Sequence, residues 1–271
     1  MGGKHLSEIC LEISDVTVEF GGLQALQRVS AKVRPGTVLG IVGPNGAGKT
    51  TLFNVVSGVV RPTRGAVRLD GVDVTGLPPH LRARHGLSRT FQNLALNDEM
   101  TALENVLMGT QRRVPVSIGR LTWDVLTRKS AARETRARQD ALRVMSTLGL
   151  LDDRDRLISE LPFGTRRRVD MARALAGDPR TLLLDEPFSG LGDRERPLMS
   201  QIIHEIRKEG TVGMVLVEHD MTVVTELCDE LLVLNEGVVL ATGDPRSVLA
   251  EPAVQEAYLG PQLKRRRKVS A

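Results

Sequence analysis

Leu11 and Ile13, then Val16, Val18 and Phe20, alternate with polar residues, and the phase slips at Ser14-Asp15. Alternation of period two marks a half-buried strand. The pattern predicts one long bent strand, or two, ending at Gly21-Gly22. Val29, Ala31 and Val33 make another, closed by the turn Arg34-Pro35-Gly36. Val38-Leu39-Gly40-Ile41-Val42 has no polar phase and reads as a strand buried on both faces. A helix opens after it, over Thr51 to Ser57. Ala66 to Leu69 and Gly86 to Thr90 read as strands, and Pro78-Pro79 starts a short helix through Arg84.

From about Thr101 to Gly149 strand signals vanish. Thr101 and Glu104 have capping-box spacing at a helix start. Lys129 to Leu148 predicts a long polar helix with Leu142, Met145 and Leu148 as its apolar stripe. A further helix buries Val169, Ala172, Leu175 and Ala176 and stops at Gly177-Asp178-Pro179. Thr181 to Asp185 is a buried strand, Arg194 to Lys208 a helix, and Thr211 to Val217 a buried strand. Leu231 to Leu234 and Val238 to Ala241 read as a hairpin around Asn235-Glu236-Gly237. Gly43 to Thr50, between a strand and a helix, matches the phosphate-loop pattern G-x-x-x-x-G-K-[ST], so the expected fold is α/β: a mainly parallel sheet in a phosphate-loop NTPase core, an N-terminal antiparallel β subdomain and an inserted α-helical subdomain. The expected single domain is 8–260, with its core at about 8–92 and 178–250 and the helical subdomain at about 93–177. Residues 261–271 are expected to be a disordered basic tail.

At 271 residues the chain can bury a full core. Its two cysteines, Cys10 and Cys228, form no CxxC pair, which points away from zinc or a disulfide framework and towards a reduced, cytoplasmic setting. Met1 to Ser7 carry no apolar signal segment, and no run reaches the length of a membrane span. The net charge is +4, yet Lys264 to Lys268 alone contribute +5, leaving −1 for the remainder. A second basic stretch runs from Arg112 to Arg138. Both fit a solvated surface or contact with an anionic membrane surface. No aromatics interleave them as in single-strand binders, so nucleic acid is not expected.

The chemistry centres on Gly43-Pro44-Asn45-Gly46-Ala47-Gly48-Lys49-Thr50, which matches G-x-x-x-x-G-K-[ST] between a strand and a helix. Backbone N–H groups in such a loop turn inward, and the helix dipole favours an anion. Lys49 is expected to neutralise the β- and γ-phosphates of a nucleoside triphosphate, and the Thr50 hydroxyl to bind Mg²⁺. Thr51 continues the ATP-binding segment. An apolar strand ending in Asp is the usual partner of this loop, which gives Asp185 the metal or its water. Glu186 is placed to polarise a water. His219 follows another strand, where ligands bind at carboxyl ends. Phe20, at a strand end, fits either base stacking or the core. Phe91-Gln92-Asn93 is a polar break that could reach a ligand.

With these residues in order, the chain resembles the ATP-binding subunits of ABC transporters over roughly 9–260, and most of all those of branched-chain amino acid importers. The resemblance rests on Phe20-Gly21-Gly22-Leu23, the phosphate loop, Arg89-Thr90-Phe91-Gln92, Glu104-Asn105-Val106 and the insert before Leu148-Gly149-Leu150. It continues through Ala172-Arg173-Ala174-Leu175, Leu184-Asp185-Glu186-Pro187, Glu218-His219-Asp220-Met221 and Ala257-Tyr258-Leu259-Gly260. It implies that Phe20 stacks on adenine, that Thr50, Asp185 and Gln92 surround Mg²⁺, that Glu186 is the general base, and that His219 contacts the γ-phosphate. It makes Leu161 to Thr165 the signature segment, so that Pro162, Phe163, Gly164 and Thr165 meet ATP bound to the opposite subunit. It implies a homo- or heterodimer with two ATP molecules at its interface. The helical subdomain would dock on transmembrane permease subunits at the inner face of the cell membrane, with a substrate-binding protein as an indirect partner.

The signature segment departs from the family's Ser-Gly-Gly-Gln, and Gly192 stands where Asp or Asn is usual. Exporter ATPases of lipid or lipopolysaccharide type share many of these motifs. A soluble ABC ATPase acting on DNA or ribosomes would need long heptad coils or a second cassette, and neither is present. A phosphate-loop kinase or small GTPase would not order Gln92, Gly164, Asp185-Glu186 and His219 in this way.

Overall fold

The computed structural model describes residues 8–90, 94–110 and 129–258. Gln92, Arg112 to Arg128 of the basic stretch and the tail 261–271 lie outside the described residues.

Two sheets form. The N-terminal one is antiparallel, in the order β2-β1-β4-β5: β1 Leu11–Phe20, β2 Leu23–Val33, β4 Arg64–Leu69 and β5 Val72–Asp73. The phase slip in β1 is a bulge within one strand. Asp15 takes φ 48°, its N–H donates to Ser30 Oγ, and the register with β2 shifts between Ile13 and Val16. β2 begins at Leu23, earlier than its apolar alternation predicts, because its first residues are mostly exposed and carry no hydrophobic phase.

The second sheet has the order β10-β9-β3-β8-β7-β6: β3 Val38–Val42, β6 Leu87–Arg89, β7 Thr181–Asp185, β8 Gly213–Val217, β9 Glu230–Asn235 and β10 Val238–Gly243. All its pairs are parallel except the β9–β10 hairpin. Alternate residues feed two apolar clusters. Val38, Val42, Leu182, Leu184, Met214, Leu216, Leu231 and Val233 face one side. Leu39, Ile41, Leu183, Val215, Val217, Leu232 and Leu234 face the other, where β1, β2 and helix α1 (Lys49–Ser57) cover them. Burial on both faces explains the unbroken apolar runs.

The short helix α2 spans Pro79–Arg84. The helical block holds α3 Ala102–Thr110, α4 Lys129–Thr147 and α5 Phe163–Ala176. Thr101 and Glu104 close the capping box in both directions: Thr101 N–H donates to Glu104 Oε2 at 2.8 Å, and Glu104 N–H to Thr101 Oγ1 at 3.2 Å. Helices α3 and α5 cross so closely that a β-carbon on Gly109 would overlap the Arg173 carbonyl. The block is not separately cored. Leu103, Val106, Met145, Leu148 and Val169 belong to the cluster that covers the parallel sheet. At the end of α5, Asp178 holds the left-handed φ of 49° while Gly177 stays right-handed. Further helices are α6 Glu195–Glu209, α7 Met221–Leu227 and α8 Pro245–Leu249, followed by a helical stretch over 252–258.

Candidate functional site

β3 delivers the chain to the phosphate-binding loop, and α1 begins within the motif at Lys49, two residues earlier than expected. Two glycines are required sterically. Gly43 has φ 152°, and a β-carbon there would overlap the Leu234 carbonyl. Gly48 has φ 103°, and its β-carbon would lie 2.8 Å from Ala25 O. The first turn of α1 has no side-chain cap and no acidic residue, so its leading N–H groups face the loop without a competing anion. Lys49 is buried at 7 % exposure, with Nζ donating to Gly43 O at 2.7 Å and Pro44 O at 2.9 Å. Burial pulls its pKa below the usual lysine range, and the charge of Glu186 opposes that shift. A buried cation served only by carbonyls is matched to an anion, which would restore its charge balance.

Around this loop lies a cleft of about 830 Å³. Its floor is Asn45 to Thr51. One wall comes from the start of β2 and the turn before it, and another from Asp185, Glu186 and His219. The Glu236-Gly237 turn closes it. That turn is stitched to its neighbours through backbone: Gly237 N–H donates to Ala47 O at 3.0 Å, and Gln27 N–H to Gly237 O at 2.8 Å. Phe20 does not line this cleft. It sits at the end of β1, paired with Leu23 and 52 % exposed. Leu23, Gln24 and Ala25 line the cleft instead. The sequence pattern missed them because the exposed start of β2 has no apolar phase.

β7 and β8 are neighbours in the sheet, so their carboxyl ends bring Asp185, Glu186 and His219 together beside the loop. Glu186 takes φ 47°, an uncommon conformation for a residue with a side chain, and its N–H donates to Val217 O of β8 at 3.0 Å. Its Oε1 lies 2.9 Å from His219 Nε2. Behind them, the buried Glu218 accepts from Phe188 N–H at 3.0 Å and His219 N–H at 3.2 Å, fixing the backbone that carries the histidine. Burial raises the Glu218 pKa, and the nearby Glu186 charge adds to the rise. Asp185 makes an ion pair that the sequence did not reveal: its Oδ2 accepts from Arg89 Nη2 at 2.8 Å.

The expected metal oxygens, Thr50 and Asp185, both line the cleft. Mg²⁺ favours hard oxygens and takes one or two from protein, with phosphates and water supplying the rest. Thr50 and Asp185 fit that donor set. Gln92 lies outside the described residues.

Pro162 to Thr165 do not line the cleft of their own chain. Pro162 is the N-cap of α5, with φ −56° and ψ 153°, and offers no side-chain cap. Phe163 is exposed, with the Arg167 guanidinium 5.3 Å from its ring centre. Gly164 and Thr165 are buried; the Glu195 carboxylate lies against Gly164 and accepts Gly192 N–H at 3.1 Å.

Residues 26–189 match the model of the ABC transporter family, and residues 238–260 match that of the branched-chain amino acid ATP-binding cassette transporter. The chain is 40 % identical over 255 residues to the high-affinity branched-chain amino acid transport ATP-binding protein BraF of Pseudomonas aeruginosa, covering 94 % of this chain and 99 % of that one. It is 35 % identical to the corresponding LivG protein of Escherichia coli K12, with the same coverage. The lipopolysaccharide export ATP-binding protein LptB of Acidithiobacillus ferridurans is 37 % identical, covering 87 % of this chain and 90 % of that one. A crystallised ATP-binding cassette of an ABC transporter in its ADP conformation superposes with a TM-score of 0.80 at 30 % identity, over 93 % of this chain and 99 % of that one. With a phosphate loop, an acidic strand end and a histidine converging on one cleft, the chain belongs to the ABC transporter family as one of its ATP-binding, ATP-hydrolysing subunits.

Proposed function

We propose that this chain powers the import of branched-chain amino acids, or of a related amino acid or amide solute, through a membrane permease. The observation that carries the solute class is the match of residues 238–260 to the branched-chain cassette model, which lies outside the general ATPase motifs. The same match favours import over lipopolysaccharide export. Among the described residues no helix is long and apolar enough to cross a membrane. We therefore assign the membrane passage to permease subunits, with this chain peripheral on the inner face.

In the proposed mechanism ATP lies along the cleft, its phosphates against the loop N–H groups of Asn45 to Thr51. Lys49 holds the β/γ-phosphates. Mg²⁺, when bound, neutralises phosphate charge, with Thr50, Asp185 and Gln92 holding it directly or through water. Glu186 takes the proton of the attacking water. Its 2.9 Å contact with His219 supports that role, because the imidazole fixes the carboxylate's direction and itself reaches the γ-phosphate. Pro162 to Thr165 lie away from this cleft, which supports their service to ATP on a second ATPase subunit.

The test is uptake of labelled leucine, isoleucine and valine by cells lacking this gene, complemented with the parent or with Glu186→Gln. The parent restores uptake. Glu186→Gln does not, and the purified variant binds ATP while hydrolysing it about 10²–10⁴ times more slowly. Unaltered uptake of all three amino acids in the deletion strain refutes the solute assignment. Parental hydrolysis by Glu186→Gln refutes the base.

A further inference from the structure

The two protein oxygens expected at the metal come from different elements: Thr50 from the first turn of α1, Asp185 from the end of β7. Their separation sets whether both can reach one ion. Among the described residues, no hydrogen bond joins Asp185 to α1 directly. Arg89, at the end of the edge strand β6, spans that gap. Its Nη2 donates to Asp185 Oδ2 at 2.8 Å. Its Nη1 donates to Asn54 Oδ1 at 2.9 Å and Ser57 Oγ at 3.0 Å, both on α1. Its guanidinium lies 5.4 Å from the ring centre of Phe53, also on α1. The Arg89 and Asp185 side chains are only 13 % and 16 % exposed, so solvent screens the pair weakly. The next residue adds a second hold, since Thr90 Oγ1 accepts from Asp185 N–H at 3.3 Å.

We infer that Arg89 is a positioning residue for metal binding: it fixes the carboxylate of Asp185 at a set distance from the helix that carries Thr50. The inference rests on the reading of Asp185 as a holder of Mg²⁺. The chemistry requires arginine. A planar fork grips Asp185 with one nitrogen and α1 with the other, whereas a single ammonium cannot hold both ends in that geometry. Engaging Oδ2 leaves Oδ1 for the ion, which suits the one-oxygen carboxylate contact of octahedral Mg²⁺. Groups behind metal ligands typically govern affinity by about 10–100-fold.

The probe is Mn²⁺, titrated into the full chain with a non-hydrolysable ATP analogue and followed by electron paramagnetic resonance. Arg89→Ala weakens Mn²⁺ binding about tenfold and broadens its spectrum, and added guanidinium restores part of the affinity. Arg89→Lys, which retains charge and bulk, is weakened as well and serves if Arg89→Ala does not fold. Nucleotide affinity in EDTA stays at the parent value in both. Asp185→Asn is the benchmark. If Asp185→Asn loses Mn²⁺ and the folded Arg89 variants keep parental affinity, the inference on Arg89 is wrong while the metal reading stands. If Asp185→Asn also keeps parental affinity, the metal reading fails and takes the inference with it. An equal loss of metal-free nucleotide binding in the Arg89 variants makes Arg89 a packing residue and overturns the inference.

Discussion

Arg82 is 1 % exposed, and with Asp170 it is one of the two most buried charged residues among those described. Among the described residues no carboxylate is in hydrogen-bond contact with it. Its guanidinium donates to four backbone carbonyls: Leu77, Thr75, and Val55 and Val56 in the last turn of α1. Those last-turn carbonyls carry the negative end of the helix dipole, and Val55 O also accepts from the capping Gly58 N–H at 3.2 Å. Burial lowers the Arg82 pKa, and the charge of Asp73 opposes that. Arg82→Met should therefore destabilise the fold by about 3 kcal/mol or more, because it strands several buried acceptors. Urea denaturation measures this, and Arg82→Lys should recover only part of the loss. Nothing in the sequence marks Arg82, since its partners are backbone atoms that no residue pattern encodes. Arg89 was hidden for a related reason: its role arises only when β6 comes to lie beside β7. Lys49, Asp185 and Glu186 were legible because motif spacing and strand ends fix them locally.

At the scale of the element, the start of α3 carries a pH dependence. The Thr101 N–H and hydroxyl, in that order, hold the Glu104 carboxyl below the usual glutamate range. A depressed folded-state pKa stabilises the protein above the unfolded value, near pH 4.3, and that contribution is lost as pH falls through the lower folded value. Glu104→Ala should lower the melting temperature at pH 7, and the gap to the parent should narrow as the pH drops below about 4. A gap that stays constant with pH would remove the charge from the explanation. The box was legible because Thr101 and Glu104 are three apart. The stop of α5 was legible in place but not in detail, because Asp178 took the left-handed turn that glycine usually takes. The doubly buried strands were the clearest elements, having an apolar cluster on each side.

For the whole molecule, strand order governs. β3 is central, yet its neighbours arrive late: Leu39 pairs with Val215 of β8 and with Glu230 of β9. No local pattern encodes that adjacency, so sequence reading yielded the strands and not their order. A chain truncated after Asp229 keeps the phosphate loop but leaves one edge of β3 unpaired and removes Leu231 to Leu234 from both clusters. It should fail to unfold cooperatively and should be cut rapidly by protease, whereas the chain truncated after Gly260 should resist. Circular dichroism with heating and limited proteolysis distinguish the two. Equal resistance would show that β9 and β10 are dispensable.

The Gly237 turn gives that order a consequence during synthesis. Ala47 is made early, but the backbone bond that closes the cleft beside it comes from residue 237. A ribosome must therefore extrude nearly the whole chain before the nascent protein can retain ATP. Until then the loop and an unpaired central strand travel together, exposed to aggregation and to chaperones. A nascent chain arrested with β8 outside the exit tunnel and β9 still within should carry every motif up to His219 and yet hold no nucleotide.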